Sequence, residues 1–94
     1  MNKGDFRKLK EDLTLLLMYM NRFTDRARDV EGNLLHRAWK GYDFNDIDNL
    51  EDEGFIFQTS KRAKSIYFTE EGLKRVEDLF ENFNIKLLKK QQNK

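Results

Sequence analysis

The 94-residue chain has no cysteine, no proline and one histidine. Without cysteine there can be no disulfide, no thiolate metal site and no cysteine nucleophile, which excludes a disulfide-stapled scaffold. His36 alone cannot supply the nitrogen ligands of a zinc site. With no proline and no Gly/Ser-rich linker, and with no internal repeat, nothing marks a domain boundary, so residues 1–94 read as one domain. Charge of one sign is also lacking: 18 basic residues face 17 acidic ones. Such a chain has little global attraction to nucleic acid or membrane, and any such binding must come from local clustering. The longest apolar run, residues 13–20, is broken by Thr14 and falls well short of the roughly 20 residues that span a bilayer. The first residues lack the apolar stretch and cleavage site of a signal peptide. The expectation is a cytoplasmic protein with no membrane partner. There is no Gly-rich phosphate loop, no Gly-x-Ser-x-Gly and no Asp-x-Asp-x-Asp-Gly calcium loop, so no catalytic residue, cofactor or metal is expected.

What is present is hydrophobic periodicity. Over about residues 4–24, Phe6, Leu9, Leu13, Leu16, Met20 and Phe23 recur at spacings of three and four, the mark of an amphipathic helix. Leu15, Leu17, Met18 and Tyr19 widen its apolar surface, so this helix must be covered on more than one side. Residues 24–33 read as a connection with helical pieces. Residues 33–40 read as a short helix with Leu34, Leu35, Ala38 and Trp39 on one face, stopped by Gly41. A third helix starts at the N-cap Asp43, with Asp46 in its first turn and Phe44, Ile47 and Leu50 facing the core, and ends near Glu53 with Gly54 as cap. Residues 55–59 and 65–68 are β-rich and flank a polar, basic tip, which predicts a hairpin. Thr69 caps a last helix whose Leu73, Val76, Phe80, Phe83 and Leu87 form a stripe. Residues 89–94 read as a frayed tail. The expected fold is α+β, mostly α: three helices with a helix-turn-helix, a β-hairpin wing and a C-terminal helix, that is, a winged helix.

The run Arg37-Ala38-Trp39-Lys40-Gly41 and the run from Lys64-Ser65 to Thr69-Glu70-Glu71-Gly72-Leu73 resemble those of a family of short bacterial proteins of unknown function. The resemblance covers about residues 37–81 and implies a winged-helix-like fold but no activity. More remotely, the hairpin and following helix resemble those of winged-helix transcriptional regulators of the multiple-antibiotic-resistance and phenolic-acid-repressor types.

Two function classes stay open. One is binding of double-stranded DNA by a regulator. In a helix-turn-helix the second helix enters the major groove, but here residues 43–53 hold six acidic and no basic side chains and would meet repulsion from the phosphates. Contact would therefore fall to Arg37 and Lys40 on the second helix and to Lys61, Arg62 and Lys64 at the wing tip. The other class is a protein-interaction module, with Trp39, Asp46, Asp48 and Asp52 facing a partner. Both flanking helices carry heptad-like stripes, so a homodimer is expected through Leu15, Met18, Tyr19, Phe80, Phe83 and Leu87.

Overall fold

The computed structural model describes residues 3–28 and 31–83, with side chains for all of these except residues 3 and 25–27. Its order is α1 (Lys3–Met20), β1 (Phe23–Arg28), β2 (Leu34–Trp39), α2 (Phe44–Asp52), β3 (Ile56–Phe57), β4 (Ser65–Phe68) and α3 (Glu70–Asn82). The described residues form an α+β fold of three helices and one antiparallel four-stranded sheet in the order β1-β2-β4-β3. The helices contact one another and the strands, and Leu15, Met18, Ile47, Leu50, Ile56, Ile66, Val76 and Leu79 between them are almost fully enclosed.

Two segments differ from the sequence-based expectation. Residues 33–40 are not a helix but contain β2, so the helix-turn-helix that needed this helix does not form. Leu, Arg and Ala favour helices intrinsically, but β2 lies between two neighbours, pairing Phe23↔Arg37 on one side and Arg37↔Tyr67 on the other. Tertiary pairing overrides a weak local preference. The expected connection over residues 24–33 holds β1, whose register against β2 shifts between Thr24 and Arg28. The hairpin over 55–69 does form, but β4 also pairs with β2, so it is part of the sheet rather than a free wing. β3 is shorter than expected because the chain leaves the ladder at Gln58. There Glu51 accepts hydrogen bonds from the Gln58 backbone N–H (2.8 Å) and from its Nε2 (3.0 Å).

α1 ends at Met20, short of the expected residue 24, and Phe23 begins β1 instead. Both ends of α2 and the start of α3 match their sequence signals. Asp43 caps α2 by accepting from Asn45 N–H at 2.8 Å. Gly54 adopts φ +84 behind α2, a conformation that costs a side-chain-bearing residue energy. Its N–H bonds to the Glu51 carbonyl and that of Phe55 to the Leu50 carbonyl, a Schellman-type closure. Thr69 caps α3 by accepting from Gly72 N–H at 2.9 Å. Gly72 is required by close approach: a Cβ there would lie 1.9 Å from the Phe55 carbonyl oxygen.

α1 faces the core with an arc other than the expected one. Leu15, Leu16 and Met18 are buried, whereas Phe6, Leu13, Leu17 and Met20 are 46–60% exposed. At 100° per residue these four fall within about 60° of arc, opposite Leu15. Both arcs are apolar, so periodicity alone did not distinguish them. Polar contacts fix the orientation. Arg75 donates to Asp12 at 2.8 Å, Asn49 donates to Glu11 at 2.9 Å, and Lys8 pairs with Glu53. Burial, with the nearby Glu53 carboxylate, pushes the Glu11 carboxyl up. Burial would raise Glu53 too, but its hydrogen bond with Glu11 and the Lys8 ammonium hold it below the usual range. Phe44, expected in the core, is 74% exposed, and the buried side of α2 is Asp46, Ile47 and Leu50.

Candidate nucleic-acid interface

Alternation along the strands divides the sheet into two faces. Ala38, Ile56, Ile66 and Phe68 point to the helices and are buried. Their neighbours Trp39, Arg37, Phe57 and Tyr67 point the other way, with Phe23 opposite Arg37. Cross-strand register sets Phe23, Arg37, Tyr67 and Phe57 in a single row across all four strands.

These side chains stack. Trp39 and Phe23 have ring centroids 4.9 Å apart. The Arg37 guanidinium carbon lies 5.7 Å from the Phe23 centroid and 4.6 Å from that of Tyr67. Tyr67 stacks on Phe57 at 5.4 Å with 26° between the rings. The result is one continuous pile, Trp39–Phe23–Arg37–Tyr67–Phe57. Arg37 also donates to the Ser65 hydroxyl on β4, which fixes the guanidinium between the rings. The two ends of the pile, Trp39 and Phe57, are 61% and 47% exposed. Beyond Phe57 and Tyr67 the face dips into a groove of about 510 Å³ shared with Leu35, Thr59 and Glu70.

The basic residues singled out from the sequence converge at the Trp39 end. Lys40 N–H donates to the Lys64 carbonyl at 2.9 Å, and Lys40 Nζ to the Lys61 carbonyl at 3.2 Å. Lys40, Lys61 and Lys64 thus share one corner with the exposed Arg62, and Asp48 lies 3.6 Å from Lys61. Arg37 belongs to the same face, two residues before Trp39. Elsewhere Arg22 lies over the Tyr19 ring at 3.8 Å, and Arg28 donates to the Gly32 carbonyl at 2.7 Å.

The acidic residues do not form one surface with Trp39. Asp46 is 4% exposed and, with Asp43, bridges Lys10 of α1 at 3.2 Å. Hydrogen bonds to Asp43 and then Asp46 raise the Lys10 ammonium, and the Asn45 backbone N–H, followed by Lys10, lowers Asp43. These acids hold α2 to α1. Asp48 faces the basic corner, and Asp52 is exposed at the other end of the helix. Trp39, expected on the apolar face of a short helix or at a partner contact, is 61% exposed on the open face of the sheet.

The expected dimer residues also separate. Leu15 and Met18 are fully buried within the chain, and Tyr19 packs edge-on against Phe68 and Phe80, so these are core contacts. Phe83 is 41% exposed at the end of α3, and Leu87 lies outside the described residues. His36 sits on β2 opposite Thr24, and burial first, then Arg22, lowers its imidazole. Among the described residues no group of three or more His, Cys, Asp or Glu side chains is placed to hold a metal ion, and no helix is long and apolar enough to cross a membrane.

The missed feature was the aromatic pile. Its signal is present in the alternation Leu35, Arg37, Trp39 and in Phe57 and Tyr67, but it requires β2 to be a strand.

The chain is similar to an uncharacterised protein, y4hR, of Sinorhizobium fredii (strain NBRC 101917 / NGR234): the two are 33% identical over 70 residues, which is 74% of this chain and 81% of the relative. No solved structure matches the chain. A family model covers residues 7–86, and on that evidence the chain belongs to the family described as Domain of unknown function (DUF6429).

Proposed function

We propose that this chain is a nucleic-acid-binding protein whose contact surface is the open face of the sheet and its basic corner. The observation that carries the reading is the convergence of Lys40, Lys61 and Lys64, distant in sequence, beside a face that also holds Arg37. Phosphates are bound by such clusters even when the net charge is near zero, because the local potential governs approach. The winged-helix reading contributes only its order here: a helix, a basic-tipped hairpin and a further helix. Of the acidic α2, Asp48 pairs with Lys61 at the corner, a contact that a phosphate would have to displace. The test is fluorescence anisotropy of a labelled mixed-sequence oligonucleotide at low and physiological salt, with the triple variant Lys61→Ala, Arg62→Ala, Lys64→Ala alongside. The expected result is saturable, salt-sensitive binding, with the variant weaker and its log–log salt slope smaller by about two to three. Absence of binding at low salt would overturn the reading.

A different observation favours a second reading, association with a protein, the nearest candidate being a second copy of the chain. The exposed arc of α1 is uncharged and centred on Leu13, one heptad from Phe6 and one from Met20. Two antiparallel α1 helices would set Phe6 of one copy against Met20 of the other. Sedimentation equilibrium tests this: a concentration-dependent dimer that Leu13→Lys with Leu17→Lys dissociates supports it, and monomer mass throughout excludes it.

A further inference from the structure

We infer that the nucleic acid this face takes is single-stranded, with unpaired bases stacking on Trp39 and Phe57 at the two ends of the aromatic pile. The inference rests on the nucleic-acid reading above and specifies its ligand.

The geometry of the pile leads to this class. Phe23, Arg37 and Tyr67 have their faces turned to one another, and these inner faces are spent on holding the four strands together. Trp39 and Phe57 each have one aromatic neighbour among the described residues and are 61% and 47% exposed. Large aromatic rings left in water at both ends of a rigid pile are surfaces onto which a planar, electron-poor ring adds with gain. Nucleobases have such faces, and base–aromatic stacking is the usual means of holding single strands without reading their sequence.

Duplex does not offer what this surface needs. Its bases are stacked on each other, so ring faces are inaccessible. Its major groove, about 12 Å wide, admits a helix or a two-stranded ribbon, whereas four strands at about 4.8 Å spacing present a broader, flat face. Among the described residues, the helix that meets the basic corner is α2, through Asp48, and it is acidic.

Charge argues for nucleic acid over an apolar peptide. Trp39 adjoins Lys40 and, across the ladder, Ser65 and Lys64. Lys40 and Lys64 lie at the end of the ladder next to Trp39 and Ser65, so a strand stacked on Trp39 would leave the sheet past the corner lysines. The strand then crosses the sheet towards Phe57, over Arg37. The cations gather at the Trp39 end, whereas the groove beside Phe57 is lined by Glu31 and Glu70, so the phosphates are held at the Trp39 end and the Phe57 end contributes stacking alone.

The chain has one tryptophan, so emission on 295 nm-type excitation reports on Trp39 alone. The experiment titrates the full chain with a mixed-sequence single-stranded oligonucleotide and with its duplex, reading both ligand anisotropy and Trp39 emission, at low and physiological salt. The expected result is single strand bound about tenfold or more tighter than duplex, with Trp39 emission quenched on saturation. Trp39→Ala and Phe57→Ala should each weaken single-strand binding about tenfold, Trp39→Phe should retain most of it, and weak duplex binding should be unchanged. Circular dichroism melts of each variant check that the fold is retained, with melting close to that of the parent chain expected. Duplex bound as tightly as single strand, or single strand bound with Trp39 emission and Trp39→Ala affinity unaltered, would overturn the inference while leaving nucleic-acid binding in place. No binding of either form at low salt would overturn both.

Discussion

The two faces of the sheet are built from the same strands and differ in almost everything else. The inner face is Ala38, Ile56, Ile66 and Phe68, buried under the three helices. The outer face is Phe23, Arg37, Trp39, Tyr67 and Phe57, with no helix packed on it among the described residues, and it is held by ring stacking about the Arg37 guanidinium. The first stabilises by removing apolar area from water, the second by cross-strand contacts that remain at the surface. Loss of packing should therefore cost much stability when it occurs on the inner side, and little stability but much of the binding when it occurs on the outer.

Substitutions sharpen that contrast in descending order of effect. Gly72→Ala drives a methyl into the Phe55 backbone. Neither partner is a flexible side chain, so a loss of about 3 kcal/mol or more is expected in urea unfolding. Ile66→Ala empties a fully buried site and should cost about 2–5 kcal/mol, with unchanged oligonucleotide affinity while the protein is folded. Tyr67→Ala, the next residue along β4, should cost only about 1 kcal/mol of stability and instead lower affinity. Equal losses of stability from Ile66→Ala and Tyr67→Ala would erase the distinction between the faces.

A smaller effect comes from pH. Burial lowers the His36 imidazole in the folded chain, so below the ordinary histidine value of 6.5 the unfolded chain binds more protons than the folded one. Stability should decline as pH falls through that value towards the folded one, and His36→Gln should flatten the decline in thermal melts. Glu11 has the opposite sign. Its raised carboxyl means that protonation favours the folded chain, so this group gives back stability as pH falls towards the acid range. Glu11→Gln retains an acceptor for Asn49 and should be neutral or mildly stabilising near pH 7.

The parts of the fold legible in the sequence were those fixed by local chemistry. Asp43 and Thr69 cap α2 and α3 through their own side chains, and Gly54 closes α2 with a positive φ. The hairpin was legible because Phe55-Ile56-Phe57 and Ser65-Ile66-Tyr67-Phe68 are β-rich on both faces. β2 was not legible, because its outer residues Leu35, Arg37 and Trp39 replace the polar half of the alternation with groups that stack. With both faces apolar or amphipathic, period 2 disappears and the Leu and Ala content favours a helix. α1 failed differently: two apolar arcs gave the right helix and the wrong inward side, which only the pairing of Asp12 with Arg75 and Glu11 with Asn49 decides. Of the candidate site, Arg37, Lys40, Lys61 and Lys64 were identified as basic residues, and their meeting at one corner follows from β2 lying beside β4.

The most direct test of the outer face as the binding surface is a ¹⁵N–¹H correlation titration of the whole chain with a single-stranded oligonucleotide. The account predicts shifts concentrated on the Trp39 indole, the amides of Phe23, Arg37, Phe57 and Tyr67, and residues 60–64, with α1 unmoved. Shifts confined to the Phe6–Leu13–Met20 arc or to α2, with the Trp39 indole unchanged, would contradict it.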